Sequence, residues 1–184
     1  AALSPDPDSA DNGTIEVQTI GDHHVVYLPG TDDMTTLPWT QDDDVRDMAT
    51  NLLLSAGLPN AYQQGILDAM HQAGIGPDDP VLLVGHSQGG MEAAAILGQG
   101  SDFNVTHVVT AGSPTAQVAA FPEGSHVLSL EHEATSSPSS TSAPNPDSVE
   151  QVTVTFDGTA GPHGIEGEHA YEHYVAGAAL VDAS

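Results

Sequence analysis

Apolar and polar residues follow the periods of β-strands and α-helices in turn along the chain. Residues 14–20 (TIEVQTI) alternate with period two, as a half-exposed strand does, and residues 24–28 (HVVYL) follow after a Gly21-Asp22 turn. So short a turn predicts that these two strands form an antiparallel pair. A continuous apolar run, typical of a strand buried on both faces, occurs at 81–85, and further buried strands are predicted at 105–112, 126–130 and 152–156.

Segments with helical periodicity lie between the strands. Apolar residues recur at helical spacing from Ala61 to Ala73, and this segment stops at Gly74. Further helices are predicted at 43–56, 88–98 and about 168–181. Strands that alternate with helices through short connections predict an α/β fold, with a mostly parallel sheet and helices on both faces.

The length of 184 residues suits a single domain. Residues 1–13 are rich in proline and aspartate and predict an irregular N-terminal leader. Residues 14–184 are predicted to form one α/β domain. Within it, residues 134–148 are rich in serine and proline and nearly free of bulky apolar side chains, which predicts a long flexible surface loop.

The charge composition is extreme. Twenty-six acidic residues stand against one Arg and no Lys, which gives a formal net charge of −25 at pH 7. Such a charge repels phosphate groups and no basic cluster is present, so we expect no nucleic-acid binding. Adaptation to high salt and selection for solubility both account for this acidity. No apolar run approaches the roughly 20 residues that span a bilayer, so no stable membrane insertion is expected.

Cysteine is absent, which excludes disulfides and thiolate metal sites. The sequence starts with Ala1 rather than Met, which leaves room for a removed signal peptide. We therefore favour a secreted or cell-surface location over a cytoplasmic one.

The sequence GHSQG (residues 85–89) stands where a buried strand passes into a helix. In an open α/β sheet, reactive groups collect beyond the carboxyl ends of the strands. Glycines two residues before and after Ser87 fit a turn so sharp that a Cβ at either place would collide with a neighbouring strand or helix. Ser87 is therefore predicted to be a nucleophile at a strand-to-helix elbow. The alternative is a structural glycine-rich turn.

Four motifs, in this order, resemble those of the class 3 lipase-like branch of the α/β-hydrolases. They are LPGT (28–31), GHSQGG (85–90), VTAGSP (109–114) and a C-terminal His followed five residues later by Tyr. The resemblance covers about residues 23–177. It implies an α/β-hydrolase fold and a serine esterase or lipase activity through an acyl-enzyme. Because no long apolar insertion is present, we expect a minimal core without a large lid domain.

The resemblance also implies an oxyanion hole and a base. The backbone N–H groups of Thr31 and Gln88 would bind the oxyanion, where each donor lowers the barrier by about 3 to 4 kcal/mol. His169, with Tyr174 five residues on, would be the base, and His163 is the alternative.

The triad acid departs from the family pattern. The family carries an Asp shortly after the strand at 126–130, and alignment on Pro138 puts Thr135 at that position. A threonine cannot stabilise an imidazolium by charge. Glu133 and Glu131 lie just upstream, and Glu can replace Asp in this role. We expect Glu133 to be the acid, with Glu131 as the alternative.

These residues predict a hydrolase of neutral carboxylic esters, such as short acyl esters or acylglycerols. Arg46 is the only permanent cation, so nothing basic is available to bind an anionic head group. Two alternatives remain: an acyltransferase that uses the same acyl-enzyme, and a hydrolase-fold binding module without activity.

The C-terminal segment 163–173 (HGIEGEHAYEH) contains three His and three Glu, and His169 and His173 are four residues apart. Two such histidines could face one metal ion, but the segment lacks the HExxH arrangement. We expect no catalytic metal and no cofactor.

Overall fold

The computed structural model describes residues 14–30, 60–132, 145 and 148–156. This part of the chain contains six strands and two helices. In chain order they are β1 (Glu16–Ile20), β2 (His23–Leu28), α1 (Ala61–Gln72), β3 (Pro80–His86), α2 (Gln88–Gln99), β4 (Asn104–Ala111), β5 (His126–His132) and β6 (Gln151–Phe156).

All six strands belong to one sheet, whose spatial order β1-β2-β3-β4-β5-β6 is the order of the chain. The hairpin of β1 and β2 is antiparallel, as predicted, and Gly21 in its turn has a φ of 68°. The other four pairings are parallel. The fold is therefore of the α/β type with a mostly parallel sheet. Each element predicted for the described residues is present, with its ends within two residues of the prediction.

The two helices pack on the same face of the sheet. Each connects parallel neighbouring strands, and right-handed crossovers that proceed in one direction across a sheet bring their helices to one side. The buried core lies between the sheet and these helices, and an apolar side chain fully buried there contributes about 1.5 to 3 kcal/mol. Its fully buried members include Val26, Leu83 and Val108 of the sheet, Ile66 and Met70 of α1, and Ile96 of α2.

Strand β3 has one fully buried face. Val81, Leu83 and Gly85 are buried beneath the helices, whereas the alternate residues Leu82 and Val84 are half-buried. The apolar run predicted burial on both faces, so the described part of the chain satisfies that prediction on one face only. The helices predicted at 43–56 and about 168–181 lie outside the described residues, as does the predicted leader.

Neither described helix could cross a bilayer, because neither combines sufficient length with sufficient apolar character.

Candidate active site

Ser87 is the single residue between the end of β3 at His86 and the start of α2 at Gln88. Its backbone has φ 53° and ψ −123°, and in the described ranges it is the one non-glycine residue with a positive φ. Such a conformation costs on the order of 1–3 kcal/mol and persists only where the surrounding structure enforces it. The Ser87 N–H donates to the Ala111 carbonyl at 2.9 Å, which ties the elbow to the end of β4.

The Ser87 hydroxyl is not used to cap α2. A serine at a helix N-cap ordinarily accepts a hydrogen bond through Oγ from an N–H of the first turn, but Ser87 makes no such bond. The helix starts instead with the Ser87 carbonyl, which accepts from the N–H groups of Gly90 at 3.1 Å and Met91 at 3.2 Å. Ser87 is half-buried, and its hydroxyl is not needed to start the helix.

Three glycines make this turn possible. A Cβ at Gly85 would overlap the backbone of Gly89 and Gly90. Another at Gly89 would overlap the carbonyl groups of Leu28 and Pro29. In both places the obstacle is backbone, which cannot rotate away as a side chain can. The steric reason predicted for the glycines on either side of the serine is confirmed.

Gly90 has the same requirement, which its place in the motif GHSQGG did not predict. A Cβ there would lie 2.7 Å from the Cβ of Ser113 and would overlap its hydroxyl oxygen. Ser113 is fully buried, and its Oγ donates to the Ala111 carbonyl at 2.9 Å. The loop after β4 therefore packs against the first turn of the serine's helix.

The loop that follows β2 borders Ser87 on the side opposite the loop after β4. A Cβ built on Gly30 would lie 3.2 Å from the Cβ of Ser87 and 3.3 Å from Nδ1 of His86. Thr31, the first predicted oxyanion donor, is the next residue and lies outside the described residues. Gln88, the second, is buried at 1% exposure in the first turn of α2, where the helix dipole is positive.

Glu131 lies near the carboxyl end of β5, two strands from β3, and is 8% exposed. Its Oε1 accepts a hydrogen bond from Nδ2 of Asn145 at 3.4 Å. The other candidates for the acid and the base, with the threonine that aligns with the family's Asp, lie outside the described residues: Glu133, Thr135, His163 and His169.

A buried polar network, not predicted from the sequence, links β4, β5 and β6. The Thr110 hydroxyl donates to Ser129 at 3.0 Å, and Nε2 of Gln151 donates to Ser129 at 2.9 Å and to Thr115 at 2.8 Å. The N–H and hydroxyl of Thr115 both donate to Oδ1 of Asn145 at 2.9 Å. The one sequence signal was the presence of polar residues within apolar strands. Asn145, within the segment predicted to be flexible, is thereby bonded to Thr115 in the loop after β4 as well as to Glu131 of β5.

Glu92 is a second missed residue. It lies in α2 with 0% exposure, and neither carboxyl oxygen has a hydrogen-bond partner among the described residues. Burial raises the pKa of the Glu92 carboxyl to about 7. The nearby Asn60 side chain lowers the pKa in part, but its Nδ2 does not reach hydrogen-bonding geometry, so desolvation dominates. A lone acidic residue in the apolar stretch MEAAAIL was the available signal.

Within the described ranges, no group of three or more His, Asp or Glu side chains is arranged to hold a metal ion. The histidine-rich segment 163–173 lies outside those ranges.

No protein-family model matches the chain, and a search of curated proteins finds no match either. The geometry alone therefore defines the class: an α/β protein with a strained serine at the carboxyl end of an inner parallel strand.

Proposed function

We propose that the protein is a serine hydrolase of the α/β-hydrolase type that cleaves neutral carboxylic esters, such as short acyl esters or acylglycerols. The observation that carries this proposal is the backbone of Ser87, with φ 53° and ψ −123°, forced by glycines whose Cβ positions are occupied by other backbone. A protein retains such strain where a side chain must be presented at a fixed point, as at a nucleophile elbow. An ordinary helix N-cap would need neither the strain nor the glycines.

In the proposed reaction, Ser87 Oγ attacks the ester carbonyl carbon while a histidine accepts the hydroxyl proton. The carbonyl oxygen becomes an oxyanion, stabilised by the N–H groups of Gln88 and Thr31. The histidine returns the proton to the leaving alkoxide, the alcohol departs, and an acyl-serine remains. Water, deprotonated by the same histidine, attacks the acyl carbon and releases the carboxylic acid with restoration of the serine. His169 is the proposed base, with His163 as the alternative.

The topology of the sheet supports this set of partners. Strands β3, β5 and β6 are parallel, so their carboxyl ends share one edge of the sheet. Ser87 follows β3, the glutamates Glu131 and Glu133 lie at or just after the end of β5, and both candidate histidines follow β6. The strands that precede the proposed members of the triad in the sequence therefore end at the same edge of the sheet. Glu133 is the proposed acid, with Glu131 as the alternative.

The choice of neutral esters rests on charge. The formal net charge of −25 at pH 7 repels anionic substrates. With one Arg and no Lys in the sequence, no cluster of cations is available to bind a phosphate or sulfate head group. An uncharged ester is not repelled by this net charge.

The test is hydrolysis of p-nitrophenyl butyrate together with labelling by a fluorophosphonate probe, which reacts with activated serines. We expect wild type to turn over the ester and to be labelled, and Ser87→Ala to lose labelling and at least about 10³-fold of the rate. Ser101→Ala, in the loop at the amino end of β4, is the matched control and should behave as wild type. An esterase rate unchanged in Ser87→Ala would rule out the proposal.

Two further outcomes separate the alternative functions. Wild type that neither labels nor hydrolyses would favour a binding module without activity, for which the threonine at position 135 is the sequence argument. A rate of acyl transfer to added alcohols that exceeds hydrolysis would favour an acyltransferase, since both reactions share the acyl-enzyme.

A further inference from the structure

A buried tyrosine hydroxyl holds the loop beside the nucleophile. Tyr62, the second residue of α1, is 2% exposed, and its hydroxyl donates to the Pro29 carbonyl oxygen at 2.8 Å. Strand β2 ends at Leu28, so Pro29 lies just beyond the paired part of the strand. Pro29 is half-buried, and a residue 33 positions away along the chain supplies the donor for its carbonyl.

The Pro29 carbonyl is fixed from two sides. Tyr62 contacts its oxygen from α1, and the same oxygen lies so close to Gly89 of α2 that no Cβ would fit between them. The carbonyl of Pro29 and the N–H of Gly30 belong to one planar peptide group. Fixing the oxygen therefore fixes the orientation of that peptide and the position from which the chain enters Gly30.

This peptide is next to the reacting serine. A Cβ built on Gly30 would lie 3.2 Å from the Cβ of Ser87. An oxyanion donor must lie 2.7–3.1 Å from the oxyanion to be effective. A rotation of the peptide at residues 29–30 would move Gly30, the residue before the proposed donor Thr31, relative to Ser87.

The tyrosine itself is held by a rigid helix. The helix α1 is capped at its start by Asn60, whose Oδ1 accepts from the Gln63 N–H at 2.8 Å. One and two turns on, Ile66 and Met70 are fully buried against the sheet. The phenol oxygen is therefore supplied from an element that cannot shift without disturbing the core.

We propose that Tyr62 is a positioning residue for transition-state stabilisation: through the Pro29 carbonyl it holds the Pro29-Gly30 peptide, and with it the oxyanion side of the site, in place beside Ser87. This inference rests on the proposed serine hydrolase function. Tyr62 does not itself contact the substrate. Its effect should therefore appear in turnover more than in substrate binding.

The experiment compares Tyr62→Phe, which removes only the hydroxyl, with Tyr27→Phe on β2, a half-buried tyrosine outside the site. The kcat and KM for p-nitrophenyl butyrate are measured with the inhibition constant of a trifluoromethyl ketone, which forms a tetrahedral adduct with an activated serine. Thermal unfolding of each variant sets an assay temperature at which all are folded. We expect Tyr62→Phe to lower kcat about ten- to a hundredfold, to leave KM within about threefold, and to weaken the inhibitor in parallel with kcat/KM. Tyr27→Phe should match wild type.

Four results would contradict this inference or the function on which it rests. If Tyr62→Phe lowers the unfolding temperature but leaves kcat and the inhibition constant at wild-type values, the hydroxyl is structural only and the inference is wrong. An equal fall of kcat in both tyrosine variants would also overturn it. Wild type that neither hydrolyses esters nor reacts with the fluorophosphonate would overturn the proposed function and this inference together. Wild type that reacts, with an insensitive Tyr62→Phe, would overturn this inference alone.

Discussion

The backbone of Gly89 in α2 packs so closely against the carbonyl oxygen of Leu28, at the end of β2, that a Cβ built on Gly89 would overlap this oxygen. The contact arises because β2 and β3 are parallel neighbours in which Leu28 pairs with Gly85. A helix that leaves β3 through a one-residue turn must pass over the end of the adjacent strand. The helix that follows Ser87 and the loop after β2 are therefore in close backbone contact.

The first prediction follows from this contact. Gly89→Ala should lower the free energy of unfolding by about 2–3 kcal/mol, since the added methyl meets backbone and overpacking of this kind costs about 1–3 kcal/mol. Gly65→Ala is the matched control. Gly65 lies inside α1 with no atom within 4 Å of an added Cβ, so alanine there should stabilise by about 0.5–1 kcal/mol. Denaturant unfolding measures both, and a similar effect of the two changes would contradict the close approach.

A second prediction concerns the strain at Ser87. Glycine adopts a positive φ without penalty, whereas alanine keeps the Cβ that causes the strain. Ser87→Gly should therefore be more stable than Ser87→Ala by about 1 kcal/mol, after the flexibility that glycine adds to the unfolded chain is subtracted. Both variants lack the hydroxyl, so activity does not complicate the comparison. Greater stability of the alanine variant, as in an ordinary helix, would show that the backbone is not strained.

A third prediction concerns Glu92 and pH. Its pKa is about 7 in the folded protein and 4.5 in the unfolded reference, so the folded state favours the neutral carboxyl. The stability that this group contributes is fully present below about pH 4.5 and is lost as the pH rises through about 7, a difference on the order of 3 kcal/mol. The amide side chain in the Glu92→Gln variant cannot ionise. This variant should therefore be less sensitive to pH than wild type between pH 4.5 and 7, and more stable than wild type at pH 8.

Because the chain carries 26 acidic residues, the pH effect must be assigned by difference. Glu123→Gln, at an exposed turn between β4 and β5, removes the same charge without removing a buried carboxyl. Its stability should follow the wild-type pH dependence over the same range. A parallel curve for Glu92→Gln and Glu123→Gln would mean that overall charge, rather than burial of Glu92, causes the slope.

A fourth prediction distinguishes the candidate acids. If Glu133 stabilises the imidazolium, Glu133→Gln should lower kcat by about 10⁴-fold, because the histidine loses the negative charge that orients it. Glu131→Gln should cost less than about tenfold, since the amide oxygen still accepts from Asn145. Thr135→Asp should raise kcat, because it restores the acid of the family pattern. A loss confined to Glu131→Gln would assign the role to Glu131 instead.

The elements of the described fold were predictable because each depends on local sequence. The period-two alternation at 14–20, the apolar run at 81–85 and the helical spacing from Ala61 to Ala73 each reflect which side chains one element must bury. The antiparallel hairpin followed from a two-residue turn. Ser87 and its flanking glycines were predictable for the same reason, since the elbow is a property of consecutive residues.

The partners of the elbow were not predictable in this way. Tyr62 reaches Pro29 across 33 positions, Asn145 reaches Thr115 across 30, and Gly90 faces Ser113 after a helix and a strand. Which of these pairs meet depends on the order of strands in the sheet and on the side to which each crossover turns. Neither the strand order nor the side of a crossover can be predicted from the hydrophobic periodicity of the sequence.

The sequence by itself therefore determined an α/β chain with a serine at a glycine-flanked strand-to-helix turn, since periodicity and glycine spacing act over a few neighbouring residues. Only the tertiary structure decided that Glu92 is buried with no hydrogen-bond partner among the described residues, that Asn145 bonds to Thr115 and Glu131, and that the Tyr62 hydroxyl bonds to the Pro29 carbonyl near Ser87. Burial and long-range hydrogen bonds are set by how separate elements pack together, and packing is a property of the assembled sheet and helices rather than of any one segment.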